Sequence, residues 1–134
     1  MLTNFAEIKE ILAQTKTIAV VGLSPKENRP SYLVAHYLMA AGYTIIPVNP
    51  GQSEILGQKC YASLLEIPQK VDVVDIFRRP EEVGPVVDQA VTIGAKVVWM
   101  QEGIVNQEAA AVARAAGLKV IMDRCLKVDH ATLA

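Results

Sequence analysis

Five short apolar runs, rich in β-branched residues, are separated along the chain by segments with helical spacing. The runs cover residues 17–22, 43–48, 71–77, 95–100 and 118–122. The first of them ends in Gly22 and is typical of a strand that is buried on both faces. Strands that alternate with helices pair in parallel through right-handed crossovers. The sequence therefore predicts an α/β fold with a mainly parallel five-stranded sheet.

Helix signals stand between these runs. Asn4 opens a capping box, which predicts a helix over residues 4–14. Pro30 suits the first turn of the next helix, and Gly42 ends that helix. Three further helical segments are predicted: a single turn at 63–66, a segment at 80–93 that restarts near Gly84 and Pro85, and a segment at 106–116. The tail at 123–134 is of mixed polarity, and no element is assigned to it.

Composition and charge narrow the class of protein. The chain has 134 residues, of which 51% are hydrophobic and 20% charged, as expected for one folded domain. Its 13 basic and 14 acidic residues argue against nucleic-acid binding through bulk positive charge. No apolar run reaches about 18 residues and no signal peptide is recognised, so no membrane association is expected. Cys60 and Cys125 form neither a disulfide framework nor a zinc spacing, which predicts a cytoplasmic protein without a metal site.

The predicted topology indicates where a ligand would bind. In an open parallel sheet, ligands lie beyond the carboxyl ends of the strands, where the strand order reverses. We expect the first strand to be central, with its exit loop at 22–29 in this crevice. The exits of the next three strands, at 47–51, 76–80 and 100–105, open on the same edge.

The loop after the first strand has features that favour an anion. Gly22 permits close approach of the backbone, Ser24 offers a hydroxyl, and Arg29 carries a guanidinium that fits phosphate oxygens. The helix that starts at Pro30 adds a partial positive charge. The dinucleotide-binding pattern is incomplete, because Ser24 and Glu27 stand where further glycines are expected. The alternative is a solvated loop in which the glycine only permits a tight turn.

The exit of the second strand bears on which nucleotide is bound. An NAD site carries an acidic residue there, whereas this chain has Val48, Asn49 and Pro50 and no carboxylate before Glu54. A 2′-phosphate would call for a nearby arginine, and Lys59 is the only basic candidate in that loop. Both observations weigh against NAD(P), which stays an alternative.

Two distinctive motifs lie at strand exits: Pro-Val-Asn-Pro at 47–50 and Trp-Met-Gln-Glu-Gly at 99–103. With segments 19–24, 29–32, 42–46, 71–78 and 122–125, they extend in register over almost the whole chain. In these segments the sequence resembles the small stand-alone CoA-binding proteins, which are related to the N-terminal CoA-binding domain of the succinyl-CoA synthetase α subunit. The resemblance implies a Rossmann-like, doubly wound single domain over residues 1–134, with helices on both faces and coenzyme A bound at the strand ends.

The resemblance also implies roles for individual residues. The pyrophosphate would be held by Gly22, Leu23, Ser24 and Arg29. The adenosine would be lined by Val48, Asn49 and Pro50, and the opposite wall of the site would be formed by Phe77, Arg78 and Arg79. Gln101 and Gly103 are the remaining predicted cofactor-binding residues. The synthetase domain has a lysine in the turn after its second strand, where this chain has Gly51 and Gln52. Lys26 and Lys59 are the candidate replacements for that cation. The phosphorylated histidine of the synthetase belongs to a different domain, so ligase activity is not expected.

Cys125 is the one candidate for covalent chemistry, and no other catalytic residue is assigned. It follows the fifth strand beside Arg124 and Lys127, whose positive charges would favour a thiolate able to form a mixed disulfide with CoA by exchange with the oxidised, disulfide form of CoA. The alternative is an ordinary reduced cysteine. His36 and Trp99 have structural interpretations, as a helix-flank residue and a strand residue.

The sequence thus predicts a protein that binds CoA or acyl-CoA and carries, senses or regulates it without chemistry of its own. Two alternatives stay open: an NAD(P)-binding regulatory domain, and a thiol-dependent enzyme that uses Cys125 with CoA. The expected partner is a small nucleotide ligand. A protein partner or a homo-oligomer is left open by the sequence, and nucleic acid is not expected.

Overall fold

A computed structural model describes residues 4–134. Its helices are α1 (Phe5–Gln14), α2 (Pro30–Ala40), α3 (Val83–Thr92), α4 (Gln107–Ala115) and α5 (Leu126–Leu133). Its strands are β1 (Thr17–Val21), β2 (Thr44–Val48), β3 (Glu54–Ile55), β4 (Gln58–Lys59), β5 (Val73–Ile76), β6 (Val97–Met100) and β7 (Lys119–Ile121). Short 3₁₀ helices lie at Leu64–Glu66 and Pro80–Glu82. The second of these leads directly into α3, which is the restart predicted for this segment.

The five apolar runs form one parallel sheet in the order β2-β1-β5-β6-β7, which confirms the predicted fold class. From β1 the chain moves outward to β2, then crosses back and adds β5, β6 and β7 on the other side. The strand order therefore reverses between β1 and β5. The expectation that the first strand is central is wrong, because only β2 lies beyond β1 and the middle place belongs to β5. A separate antiparallel hairpin, β3 and β4, follows β2 and was not predicted.

Helices cover both faces of the sheet, because successive strand side chains point to opposite sides. Ala19 and Val21 of β1 lie in the core beneath α3 and α4. Ile18 and Val20 lie in the core beneath α1, α2 and α5. This is the predicted doubly wound arrangement, in which the strand ends, rather than the strand faces, are left for ligands. None of the helices within residues 4–134 has the length and apolar character needed to cross a bilayer.

Local side chains cap the N-termini of two helices, as the sequence predicts. Asn4 Oδ1 accepts a hydrogen bond of 3.0 Å from the Glu7 N–H at the start of α1. Asn106 Oδ1 accepts one of 3.0 Å from the Ala109 N–H at the start of α4. Such caps satisfy N–H groups that have no acceptor inside the helix. Helix α2 differs, because its cap residue, Arg29, makes no side-chain capping bond.

The C-terminal stretch forms α5, to which the sequence analysis assigned no element. Its cap residue, Cys125, provides no side-chain hydrogen bond. The N–H of Leu126 donates instead to Gln101 Oε1, at 3.1 Å and 25 residues away in the chain. The start of α5 is therefore set by tertiary structure, which leaves no local signal to recognise.

Polar contacts also fasten α5 to its surroundings. Arg124 donates two hydrogen bonds of 2.7 Å to the carboxylate of Asp129, which is itself buried. The Nδ1 atom of His130 lies 2.9 Å from the hydroxyl of Tyr37 on α2. His130 is thus an ordered contact between two helices.

Asp75 is an acidic side chain in the middle strand, β5, where water does not reach it. Its exposed fraction is 0%, and its two carboxyl oxygens have no hydrogen-bond partner among residues 4–134. Its register partners are Val20 on β1 and Trp99 on β6. Burial raises the pKa of Asp75 well above its usual value, since an apolar setting disfavours the ionised carboxylate.

We predict that Asp75 makes the fold less stable as pH rises. In the unfolded chain the carboxyl ionises near pH ~4, whereas the folded protein retains the proton to higher pH. The free energy of unfolding therefore falls between the unfolded and folded pKa values, by up to about 1.4 kcal/mol per pH unit, and levels off above the folded pKa. Denaturant unfolding at a series of pH values measures this slope.

The substitution Asp75→Asn is expected to remove that decline, because its amide does not titrate. Asp88→Asn is the matched control, since Asp88 is exposed on α3. An Asp75→Asn variant that keeps the full wild-type pH slope would contradict the assignment.

Candidate functional site

A cleft of about 610 Å³ lies at the carboxyl ends of β1 and β5, where the strand order reverses. One wall is built from the loop after β1 and the start of α2. The other comes from the segment between β5 and α3, with Ile104 from the loop after β6. This is the position at which open parallel sheets bind their ligands.

Gly22 allows the two walls to approach each other. Its φ is +86°, a conformation that side chains disfavour, and a Cβ at this position would collide with the carbonyl oxygen of Phe77. Its N–H donates to Val48 O at 2.9 Å, and the Phe77 N–H donates to Val21 O at 2.9 Å. The glycine is therefore required by the packing of the strand exits, before any ligand is considered.

We predict that Gly22→Ala destabilises the fold by about 2–4 kcal/mol, from left-handed backbone strain together with a steric clash. Gly103→Ala is the matched control, because Gly103 has φ +87° but open space around its missing Cβ. Gly103→Ala is expected to lower the free energy of unfolding by only about 1–2 kcal/mol, from backbone strain alone. Urea unfolding measures both, and equal losses would show that the Phe77 contact contributes nothing.

The loop after β1 is held in place by its own hydroxyl groups and by Asn49. The Ser24 N–H donates to Ser31 Oγ at 3.0 Å, and the Lys26 N–H donates to Ser24 Oγ at 3.1 Å. Asn49 Nδ2 donates to Leu23 O at 3.0 Å and so ties the exit of β2 to this loop. The loop thus has a defined shape, and the buried Ser31 of α2 helps to hold it.

The walls of the cleft are strongly basic. The residues that line it include four basic side chains, Lys26, Arg29, Arg78 and Arg79, and one acidic side chain, Glu82. Because α2 starts with Pro30 and has no side-chain cap, the N-terminus of this helix adds a partial positive charge to the same space. The cleft therefore suits an anion with several phosphate oxygens.

Apolar surface faces the same space. Phe77, Pro80 and Ile104 contribute to the lining beside the basic residues. A cleft with both characters suits a ligand that combines phosphate groups with an apolar or aromatic part.

Seven of the predicted cofactor-binding residues meet in this cleft: Gly22, Ser24, Lys26, Arg29, Phe77, Arg78 and Arg79. The others lie outside its lining: Leu23, Val48, Asn49, Pro50, Lys59, Gln101 and Gly103. The lining also includes five residues that no sequence motif marks as ligand contacts: Pro30, Ser31, Pro80, Glu82 and Ile104. The only feature of the sequence that could have indicated these residues as part of the cleft was their position near a strand exit or a helix start.

Several of the residues outside the cleft have structural contacts. Leu23 and Val48 are buried in the core. Gln101 Oε1 accepts a hydrogen bond from the Leu126 N–H at the start of α5, and the Gly103 N–H donates to Asp123 Oδ1 at 2.7 Å. The Lys59 ammonium lies 5.2 Å from the centre of the Tyr61 ring.

Cys125 is half-buried at the start of α5. Its two basic neighbours are directed to other groups, since Arg124 pairs with Asp129 and the Lys127 ammonium lies 5.6 Å from the centre of the Tyr37 ring. Trp99 is fully buried, and its indole N–H donates to Arg124 O at 2.8 Å. Within residues 4–134 no group of three His, Cys, Asp or Glu side chains is placed to hold a metal ion.

The fold and the cleft together define a Rossmann-like α/β domain with a basic cleft at its switch point. Residues 16–131 match the family model described as a CoA binding domain, so the chain belongs to that family. The resemblance stated from the sequence is thereby confirmed.

Relatives of this chain include proteins of about the same length and a much longer ligase. The chain is 48% identical to the protein YneT of Bacillus subtilis, over 94% of this chain and 93% of YneT. A solved structure of a hypothetical protein from Pyrococcus horikoshii OT3 superposes with a TM-score of 0.95 and 45% identity, covering 98% of this chain and 92% of that one. The chain is also 33% identical to the ADP-forming acetate–CoA ligase I of Archaeoglobus fulgidus, over 93% of this chain but only 20% of the ligase. It therefore spans about one fifth of that enzyme.

Proposed function

We propose that this protein binds coenzyme A or an acyl-CoA non-covalently in the cleft between the exits of β1 and β5, and that it carries or senses this ligand. The observation that supports the proposal is the basic cleft at the switch point of a chain from the CoA binding domain family. Coenzyme A combines a diphosphate with an adenine ring and a pantetheine arm, which suits a cleft with both basic and apolar walls.

The start of α2 is the proposed seat of the diphosphate. Pro30 has no N–H, and the first bond inside the helix runs from the Leu33 N–H to Arg29 O at 3.1 Å. The N–H groups of Ser31 and Tyr32 therefore have no acceptor within the helix. Arg29 is exposed beside them and is free to turn toward a phosphate.

The exit of β2 favours coenzyme A over NAD. Val48, Asn49 and Pro50 carry no carboxylate to accept hydrogen bonds from the ribose hydroxyls of NAD. The oxygen and nitrogen of the Asn49 amide are already engaged, with the Gly51 N–H at 2.9 Å and with Leu23 O at 3.0 Å. The match covers one fifth of the ligase, so the proposal carries over the binding of coenzyme A and not the ligase activity.

Isothermal titration with CoA, NAD and NADP tests the proposal. We expect CoA to bind more tightly than both of the other nucleotides, since the cleft offers several cations and the exit of β2 no carboxylate. Tighter binding of NAD than of CoA, or no binding of CoA, would refute the proposed function.

We further predict that Arg29→Ala weakens CoA binding by about 1.5–3 kcal/mol, the usual worth of hydrogen bonds to a charged group. Arg114→Ala is the matched control, because Arg114 lies in the last turn of α4, away from the strand exits, and its loss is expected to leave the affinity unchanged. Titration of CoA into each variant measures the difference. If Arg29→Ala binds CoA as tightly as wild type does, Arg29 is not a ligand contact.

A further inference from the structure

Arg79 is held by acidic neighbours at the rim of the cleft. Its Nε lies 3.1 Å from Glu82 Oε1 and 3.6 Å from Glu81 Oε1. The pair with Glu82 is exposed to solvent, with 74% of the arginine side chain and 41% of the glutamate side chain accessible. Exposed ion pairs of this kind contribute little to stability, so breaking one costs little free energy.

Glu82 occupies an unusual position for an acidic residue. It lines the cleft together with four basic side chains and is the one carboxylate among the lining residues. Its hydrogen bond with Arg79 lowers the pKa of Glu82, because the neighbouring guanidinium favours the ionised carboxylate. Arg78 also acts on this carboxylate through its charge. Glu82 therefore meets the cations with a negative charge where an anionic ligand would meet them.

We infer that Glu82 is a built-in competitor for the phosphate groups of the ligand, and that Arg79 exchanges the carboxylate of Glu82 for a phosphate when the ligand binds. This inference rests on the proposed function, because it concerns the same cleft. Binding then requires that one weak ion pair be broken as another forms. The consequence is a lower affinity than the cleft would otherwise have, which suits a protein that takes up and releases its ligand.

Glu82→Gln tests the exchange directly. The amide keeps an oxygen that can accept the Arg79 hydrogen bonds but carries no charge, so CoA affinity is expected to rise about two- to fivefold at low ionic strength. The gain is expected to shrink in concentrated salt, which screens exposed charges. Glu10→Gln is the matched control: it makes the same change in net charge on exposed α1 and is expected to leave the affinity unchanged.

A double-variant cycle separates exchange from simple repulsion. If Arg79 is the group that exchanges, Arg79→Ala weakens CoA binding, and Glu82→Gln brings a clearly smaller gain in the Arg79→Ala background than it does in wild type. If Glu82→Gln raises CoA affinity as much in the Arg79→Ala background as in wild type, Glu82 only repels the ligand. If it raises CoA affinity in neither background, Glu82 does not compete with the ligand. Each result overturns the inference.

Calorimetric titration with CoA of wild type, the two single variants, the double variant and the Glu10→Gln control gives these affinities, and thermal unfolding checks that each variant is folded. The proposed function and the inference fail in different ways. If wild type does not bind CoA, the proposed function is wrong. If wild type binds CoA and Glu82→Gln binds it no more tightly, only the inference is wrong.

Discussion

The close approach of two neighbouring strand exits determines the rest of this structure. Because Gly22 has no Cβ, the loop after β1 passes directly beside the Phe77 carbonyl at the end of β5. Hydrogen bonds from Gly22 to Val48 and from Phe77 to Val21 then align the ends of β2, β1 and β5. A side chain at position 22 would push these exits apart, and the basic cleft that lies between them would lose its shape.

From this junction the basic character of the cleft follows from local chain geometry. The loop after β1 must turn into α2, and Pro30 starts that helix without a side-chain cap, so its positive end is left toward the cleft. The chain leaving β5 must turn into α3, and it brings Arg78 and Arg79 to the opposite wall. A protein with a net charge of −1 thus concentrates positive charge at one place, without being basic as a whole.

The sequence predicted the sheet and most helices because their signals are local. Apolar runs marked the strands, and Asn4, Pro30 and Asn106 marked helix starts. It could not predict α5, whose first N–H is capped by Gln101 from 25 residues away. For the same reason Gln101, predicted to contact the ligand, was not recognised as a capping residue. Ser31 and Glu82, each in a helical turn, were missed as cleft residues because a sequence does not show which side of such a turn faces a neighbouring strand exit.

We propose that a phosphate-bearing coenzyme lies between the loop after β1 and the segment after β5. Amide chemical shifts of this 14.5 kDa chain, followed by NMR while CoA is added, test it residue by residue. The largest shifts are expected at residues 22–31 and 77–82, the two segments that supply most of the residues lining the cleft. Shifts concentrated instead at β7 and α1, around the separate depression of about 400 Å³ there, would contradict the claim.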